Sequence, residues 1–272
     1  MSPLSAASSP FPSFPVSNIT IPATPLVVAS LDFLKAHTRL STVNHCLRSV
    51  AFALVLIGRL PIFSGIQLDT ELVAVSVLLH DMGWATTPGM LSMDTRFEVD
   101  GANIAREFLT NELKKKGNQS DHGHGKSHWD AHHLQLVWDA IALHTTPSIA
   151  FFKEPEVAAA HLGIGADFTG PYLSIPPGSP PAELGALVRV EEYQEIVAAF
   201  PRENFKGDLV TIMCGLCRDK RDTTFDNLVG EFGLEFGTDG NGGGREEYTE
   251  EWKARRTLPF IMNSLDRSAE FE

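Results

Sequence analysis

Two adjacent residues, His80 and Asp81, close an apolar run at 72–79 and are the first place in the chain where side-chain chemistry needs an explanation. A carboxylate at the end of so apolar an element is costly to bury unless it meets an opposite charge or a cation. Neighbouring helical residues project about 100° apart, so a metal that takes both side chains needs further ligands from other elements. His45, set in an otherwise apolar stretch, and Asp167, which follows the small residues Gly163, Gly165 and Ala166, are the candidates. Small residues let backbone come close to a site. Two imidazoles and two carboxylates suit a borderline or hard divalent ion such as zinc, iron or manganese, and positions remain for water.

The elements that must position these groups read as helices. Ser41 or Thr42 can cap a helix running through His45 to about Gly58, and Asp69 can cap a buried one over 70–81. Residues 98–113 have helical spacing and end in Lys114, Lys115 and Lys116, cations that favour a helix C-terminus. Asp130 caps a further helix in which Leu134, Val137, Trp138 and Ile141 share one face, and His144 continues that face inward. A Gly- and Pro-rich stretch over 163–181 reads as a long loop, followed by helices near 182–199, 207–218 and 222–232 and a last amphipathic one near 245–264. The expected fold is all-α, a helical bundle with long functional loops. Prolines at 3, 10, 12, 15, 22 and 25 make residues 1–25 an extended arm against the outside of a single domain spanning 26–272.

Composition narrows the partners. Of 272 residues, 43% are hydrophobic and 21% charged, which suits a folded globular chain. Acidic residues outnumber basic ones 34 to 22, and a net charge of -12 repels nucleic acid and anionic membrane surfaces; a nucleotide can still bind where a metal offsets its charge. Cys46, Cys214 and Cys217 form no disulfide framework, so a reducing, cytoplasmic setting is expected. Cys214 and Cys217 have redox spacing but no alternation of strands and helices around them, and read as core thiols. The segment with His122, His124, His128, His132 and His133 looks like a metal cluster, yet its Gly-, Ser- and Lys-rich surroundings suit a solvated loop and helix start.

The order His, His-Asp and distant Asp within an all-helical chain resembles the HD-domain superfamily. More closely, NHCLRS at 44–49, LLHDMGW at 78–84, RFEVDGAN at 96–103, WDAIALHTT at 138–146, GIGADFTG at 163–170, FPRENFK at 200–206 and KRDTTFDN at 220–227 resemble the cyanamide hydratase branch known from fungi. The resemblance covers residues 25–235. It implies a zinc ion held by His45, His80, Asp81 and Asp167, and water addition to the cyano carbon of cyanamide to give urea. A metal lowers the pKa of its bound water from about 15.7 toward about 7, supplying hydroxide at neutral pH. His144 is assigned the proton transfer, Thr145 or Thr146 the orientation of the substrate, and Asp81 both metal binding and acceptance of the water proton. A homo-oligomer is implied by the resemblance alone.

Several residues carry two readings. Trp84 walls the pocket or is a core aromatic, while Glu98, Asp100 and Asn103 line the substrate site or join Arg96 in a capping network. His144 has a structural alternative as a hydrogen-bonded histidine at a helix end. Trp84 stands where many phosphohydrolases of the superfamily carry Lys or Arg after the His-Asp pair, which favours a small neutral substrate. No second His-His pair follows to build a two-metal site. The rival functions are an HD enzyme acting on a larger biosynthetic intermediate, a nucleotide phosphohydrolase with a basic cluster round the metal, and a metal-binding module with no open coordination position.

Overall fold

Gly163 explains how the two helices that carry most of the site come together. Its Cβ position, if filled, would lie 2.5 Å from Ala53 Cβ and 2.6 Å from the Ser49 carbonyl oxygen, so a bare backbone is needed where the helix bearing Gly163 crosses the helix bearing His45. The computed structural model describes residues 9–119, 129–175 and 187–271. These form two compact units, one of residues up to 91 with 97–203, the other of 92–96 with 204–271. Among the described residues there are helices, short 3₁₀ turns and one isolated bridge between Phe14 and Ile19, with no strand.

The first unit contains α1 (Pro25–His37), α2 (Leu40–Ile57), α3 (Thr70–Leu79), α4 (Phe97–Gln119), α5 (Ala131–Ala142), the short α6 (Pro147–Ala150), α7 (Pro155–Thr169) and α8 (Val190–Ala199). Helix α3 lies at the centre, packed against α1, α2, α5 and α7. Every residue from Leu72 to Leu79 is buried, as its all-round apolar sequence requires. Asp69 caps it, accepting from Leu72 N at 3.0 Å, and Asp130 caps α5, accepting from His133 N at 3.0 Å. Helix α2 has the length and apolar composition of a membrane-crossing helix, but most of it is buried inside this unit.

Local corrections have identifiable causes. Residues 9–24 are pinned into the fold as well as lying along its surface: Phe11, Phe14 and Ile21 enter the core, and the Val16 and Ser17 amides donate to Glu195 at 2.8 Å. Prolines stop a helix there, but aromatic side chains still seek burial. Ser41 and Thr42 are not caps; α2 begins two or three residues earlier, at Leu40 after Arg39. Helix α4 continues through Lys114 and Lys115 rather than ending at them, because lysine propagates a helix well. The stretch expected to be a loop from 163 is helical to Thr169, with its glycine used for packing. The part of that stretch at 176–181 lies outside the described residues, as do the start of the helix expected from 182 and His122, His124 and His128. His133 pairs with Asp130 at 2.7 Å on the exposed start of α5.

The second unit contains α9 (Phe205–Asp219), α10 (Leu228–Phe236), α11 (Arg245–Ala254) and α12 (Thr257–Ser268). Tyr248 is its buried centre, with the hydroxyl 2.6 Å from Thr224 Oγ1. Cys214 and Cys217 are buried and free, and burial pushes Cys214 up to about 11. The last helical segment is split in two, with Arg255 and Arg256 between the parts.

Candidate metal centre

His80 is the C-cap of α3, and Asp81 leaves the helix at φ -99°, ψ 22° before a 3₁₀ turn at Met82–Trp84. That departure lets two sequence neighbours aim at one point. His80 Nδ1 donates to the Val77 carbonyl at 2.7 Å, and His45 Nδ1 donates to Asp167 Oδ2 at 2.6 Å. Both partners can only accept, so each imidazole carries a proton on Nδ1 and turns its Nε2 toward Asp81. Those two Nε2 atoms lie 3.2 Å apart, and Asp81 Oδ2 lies 3.1 Å from one and 3.5 Å from the other. Neither Asp81 oxygen accepts a well-aligned hydrogen bond, although the residue is fully buried.

Three groups able to ligate a metal therefore converge, an arrangement that is unfavourable unless a proton or a metal ion bridges them. Burial opposes a charge on His80, but Asp81 and the Cys46 sulfur outweigh it and hold the ring well above the ordinary histidine range. Burial pushes His45 down in spite of Asp167, and the neighbouring histidines, chiefly His80, keep Asp81 low despite its own burial. The donor set, two imidazole nitrogens and one carboxylate, is that of a divalent metal. His45, His80 and Asp81 fit such an ion.

Residues 42–167 match the HD domain family. Members of this family bind divalent metals and are generally metal-dependent hydrolases, and the His45, His80, Asp81 cluster is the corresponding feature here. No match emerges among curated proteins.

Asp167 sits behind the three donors of the HD domain. Its Oδ1 accepts from Arg48 Nε at 2.7 Å and its Oδ2 from Arg48 Nη2 at 2.8 Å, a two-pronged contact inside the protein. Arg202 Nη2 donates to the Asp167 carbonyl and, at 3.1 Å, to Oδ1. Burial raises the carboxyl, but the His45 bond and the Arg48 fork hold it far below the usual carboxylate range. In this arrangement Asp167 orients His45, as carboxylates do behind metal-bound histidines.

His144, expected to point inward, is buried with Nδ1 donating to Ile141 O at 2.7 Å and Nε2 facing Asp81 Oδ1 at 3.9 Å, room for a bridging water. Burial first, then the charge on His80, pushes it down to about 4, so it is neutral at ordinary pH. Thr145 donates to buried Glu98 at 2.6 Å. Trp84 is buried, stacked 6.4 Å from the His45 ring and 5.8 Å from Phe97, and its indole nitrogen has no hydrogen-bond partner. Asn103 is not with them: it is exposed and accepts from Trp138 at 2.9 Å. Thr146 serves as N-cap of α6, its carbonyl accepting from Ile149 and Ala150.

Sequence reasoning missed four participants. Arg48, three residues after His45 in an apolar helix, gave a signal, since a buried guanidinium demands a carboxylate. Phe97 and Phe168 place rings 5.6 Å from His144 and 5.2 Å from His45, and His161 Nδ1 donates to the His144 carbonyl at 2.8 Å, fixing the segment that carries His144. These three follow from tertiary proximity, for which the sequence offers no pattern.

Proposed function

We propose that this protein adds water to a small, uncharged cyano-type substrate, cyanamide giving urea, at a metal held by His45, His80 and Asp81. The observation that carries the reading is the disposition of charge: Arg48 and Arg202, the guanidinium groups at the site, are both turned onto Asp167. A phosphohydrolase needs such cations free for its substrate. The ring edges of Trp84, Phe97 and Phe168 stand round the histidines instead, and a net charge of -12 opposes an anionic ligand.

A divalent metal, zinc foremost and iron or manganese as alternatives, supplies Lewis acidity that makes water nucleophilic near neutral pH and polarises the substrate. Everything else falls to the chain. Asp167 fixes the tautomer and direction of His45, and the Val77 carbonyl does the same for His80. Neutral His144 offers Nε2 as the base. As the water oxygen bonds to the cyano carbon, one water proton passes to Nε2 and returns to the substrate nitrogen; the second follows when the adduct tautomerises to the amide. Glu98, holding Thr145 at 2.6 Å, and the unpartnered Trp84 indole N–H orient the substrate through its amino group and nitrogen. A cytoplasmic enzyme acting on a small neutral molecule, without nucleic acid or membrane partners, fits this composition.

The test is urea formation from cyanamide by purified protein of measured metal content, with chelator-stripped and zinc-restored samples. Metal-dependent urea formation is the expected result; a loaded site that yields no urea overturns the cyanamide assignment. A second reading, hydration or hydrolysis of a larger organic intermediate, draws on Phe168, whose half-exposed ring covers His45. Phe168→Ala then admits bulkier substrates.

A further inference from the structure

Helix α12 buries none of its residues. Leu258, Ile261, Met262 and Leu265 recur at i, i+3, i+4 and i+7 and are 61, 45, 50 and 56% exposed. An apolar stripe of this kind is the face a helix normally buries, and exposed contiguous apolar surface marks an interaction site.

The spacing of the stripe is compatible with a second copy of itself. Its spacings are three, one and three residues, so it reads the same from either end. A contact between identical chains related by a two-fold axis requires a surface complementary to its own reverse. Laid antiparallel on a second α12, the stripe sets Leu258 against the partner's Leu265 and Ile261 against the partner's Met262. The charges agree. Arg255 and Arg256 precede the helix and remain exposed, while Asp266 and Glu270 at its far end outnumber the one cation there, Arg267. Antiparallel pairing brings the basic end of each helix to the acidic end of the other, and parallel pairing sets like beside like. Arg255 already lies 2.9 Å from Asp222 and Arg256 stacks 5.9 Å over Trp252, which holds both at the start of the helix. An anionic lipid surface is a poorer occupant for a chain of net charge -12.

We propose that α12 is a self-docking surface, pairing antiparallel with α12 of a second copy of this chain about a two-fold axis between Ile261 and Met262. The inference stands apart from the catalytic reading, since none of the metal-site residues takes part.

The test is sedimentation velocity on the full chain. A contact of one helix pair lies at the small end of stable interfaces, so concentrations of about 10–100 μM are needed. The wild-type chain is expected at twice the monomer mass, and Leu265→Glu at the monomer mass with unchanged helical circular dichroism, because the substituted side chain is not buried within its own chain. The double variant Leu258→Lys with Leu265→Glu is expected to return to the dimer, since each lysine then meets the partner's glutamate. A wild-type monomer throughout this range, a Leu265→Glu variant that stays dimeric, or a double variant that stays monomeric would each overturn the proposal. So would a monomer that co-sediments with phosphatidylcholine vesicles, which makes α12 a membrane contact.

Discussion

Asp81 and His144 depend on burial in opposite ways. Burial alone would neutralise Asp81, and the neighbouring histidines keep it ionised; burial keeps His144 uncharged and leaves its Nε2 available. His80→Ala or Asp81→Ala is expected to abolish metal binding and activity together, checked by metal analysis of the folded variants; retained metal sinks the ligand assignment. His144→Ala is expected to keep the metal and lose a factor of about 10² to 10⁴ in turnover, and unchanged turnover makes it structural. For Arg48→Ala the expectation concerns stability. It removes the two-pronged partner of a buried carboxylate that keeps His45 and Arg202, and should lower the unfolding free energy by about 1–3 kcal/mol in urea titration. The sign of the acid response follows from Asp167. A carboxyl held low in the folded state stabilises the fold at pH above the ordinary value of about 3.9, and that contribution is lost as pH falls toward the folded-state value. Asp167→Asn should therefore flatten the loss of stability below about pH 4.

At the scale of elements, the site depends on how closely α2 and α7 approach. Their crossing at Gly163 sets Asp167, one turn further along α7, against both His45 and Arg48 on α2. Gly163→Ala is expected to cost about 1–3 kcal/mol, as overpacking does, and to weaken metal binding while the chain still folds. Adding Ala53→Gly removes the contact with Ala53 Cβ but leaves the one with the Ser49 carbonyl, so only part of the loss should return. Calorimetry and a zinc titration of both variants decide this; wild-type affinity in Gly163→Ala would show that the crossing does not tune the site. Most helices were legible as sequence, because caps such as Asp69 and Asp130 and the periodic apolar faces of α3 and α5 act locally. The extent of α7 was not, since a glycine used for helix packing and a glycine that breaks a helix look identical in one dimension.

For the whole molecule, the cost of converging three donors links metal to folding. Stripping the metal should lower the melting temperature, and zinc at about a hundredfold its dissociation constant should restore about 2.7 kcal/mol. An unchanged melting curve would mean that the cluster folds without a cation. The sequence by itself determined the all-helical class, the burial of the His80-Asp81 pair beside His45, and the inward face of His144. Each follows from local patterning or from the cost of burying charge, both of which can be read along a chain. Only the tertiary structure decided that Asp167 lies behind His45 in the grip of Arg48, that Phe97 and Phe168 wall the histidines, and that Asn103 faces solvent. Those outcomes depend on distances between elements far apart in sequence, set by how closely backbones can approach, and no periodicity encodes them.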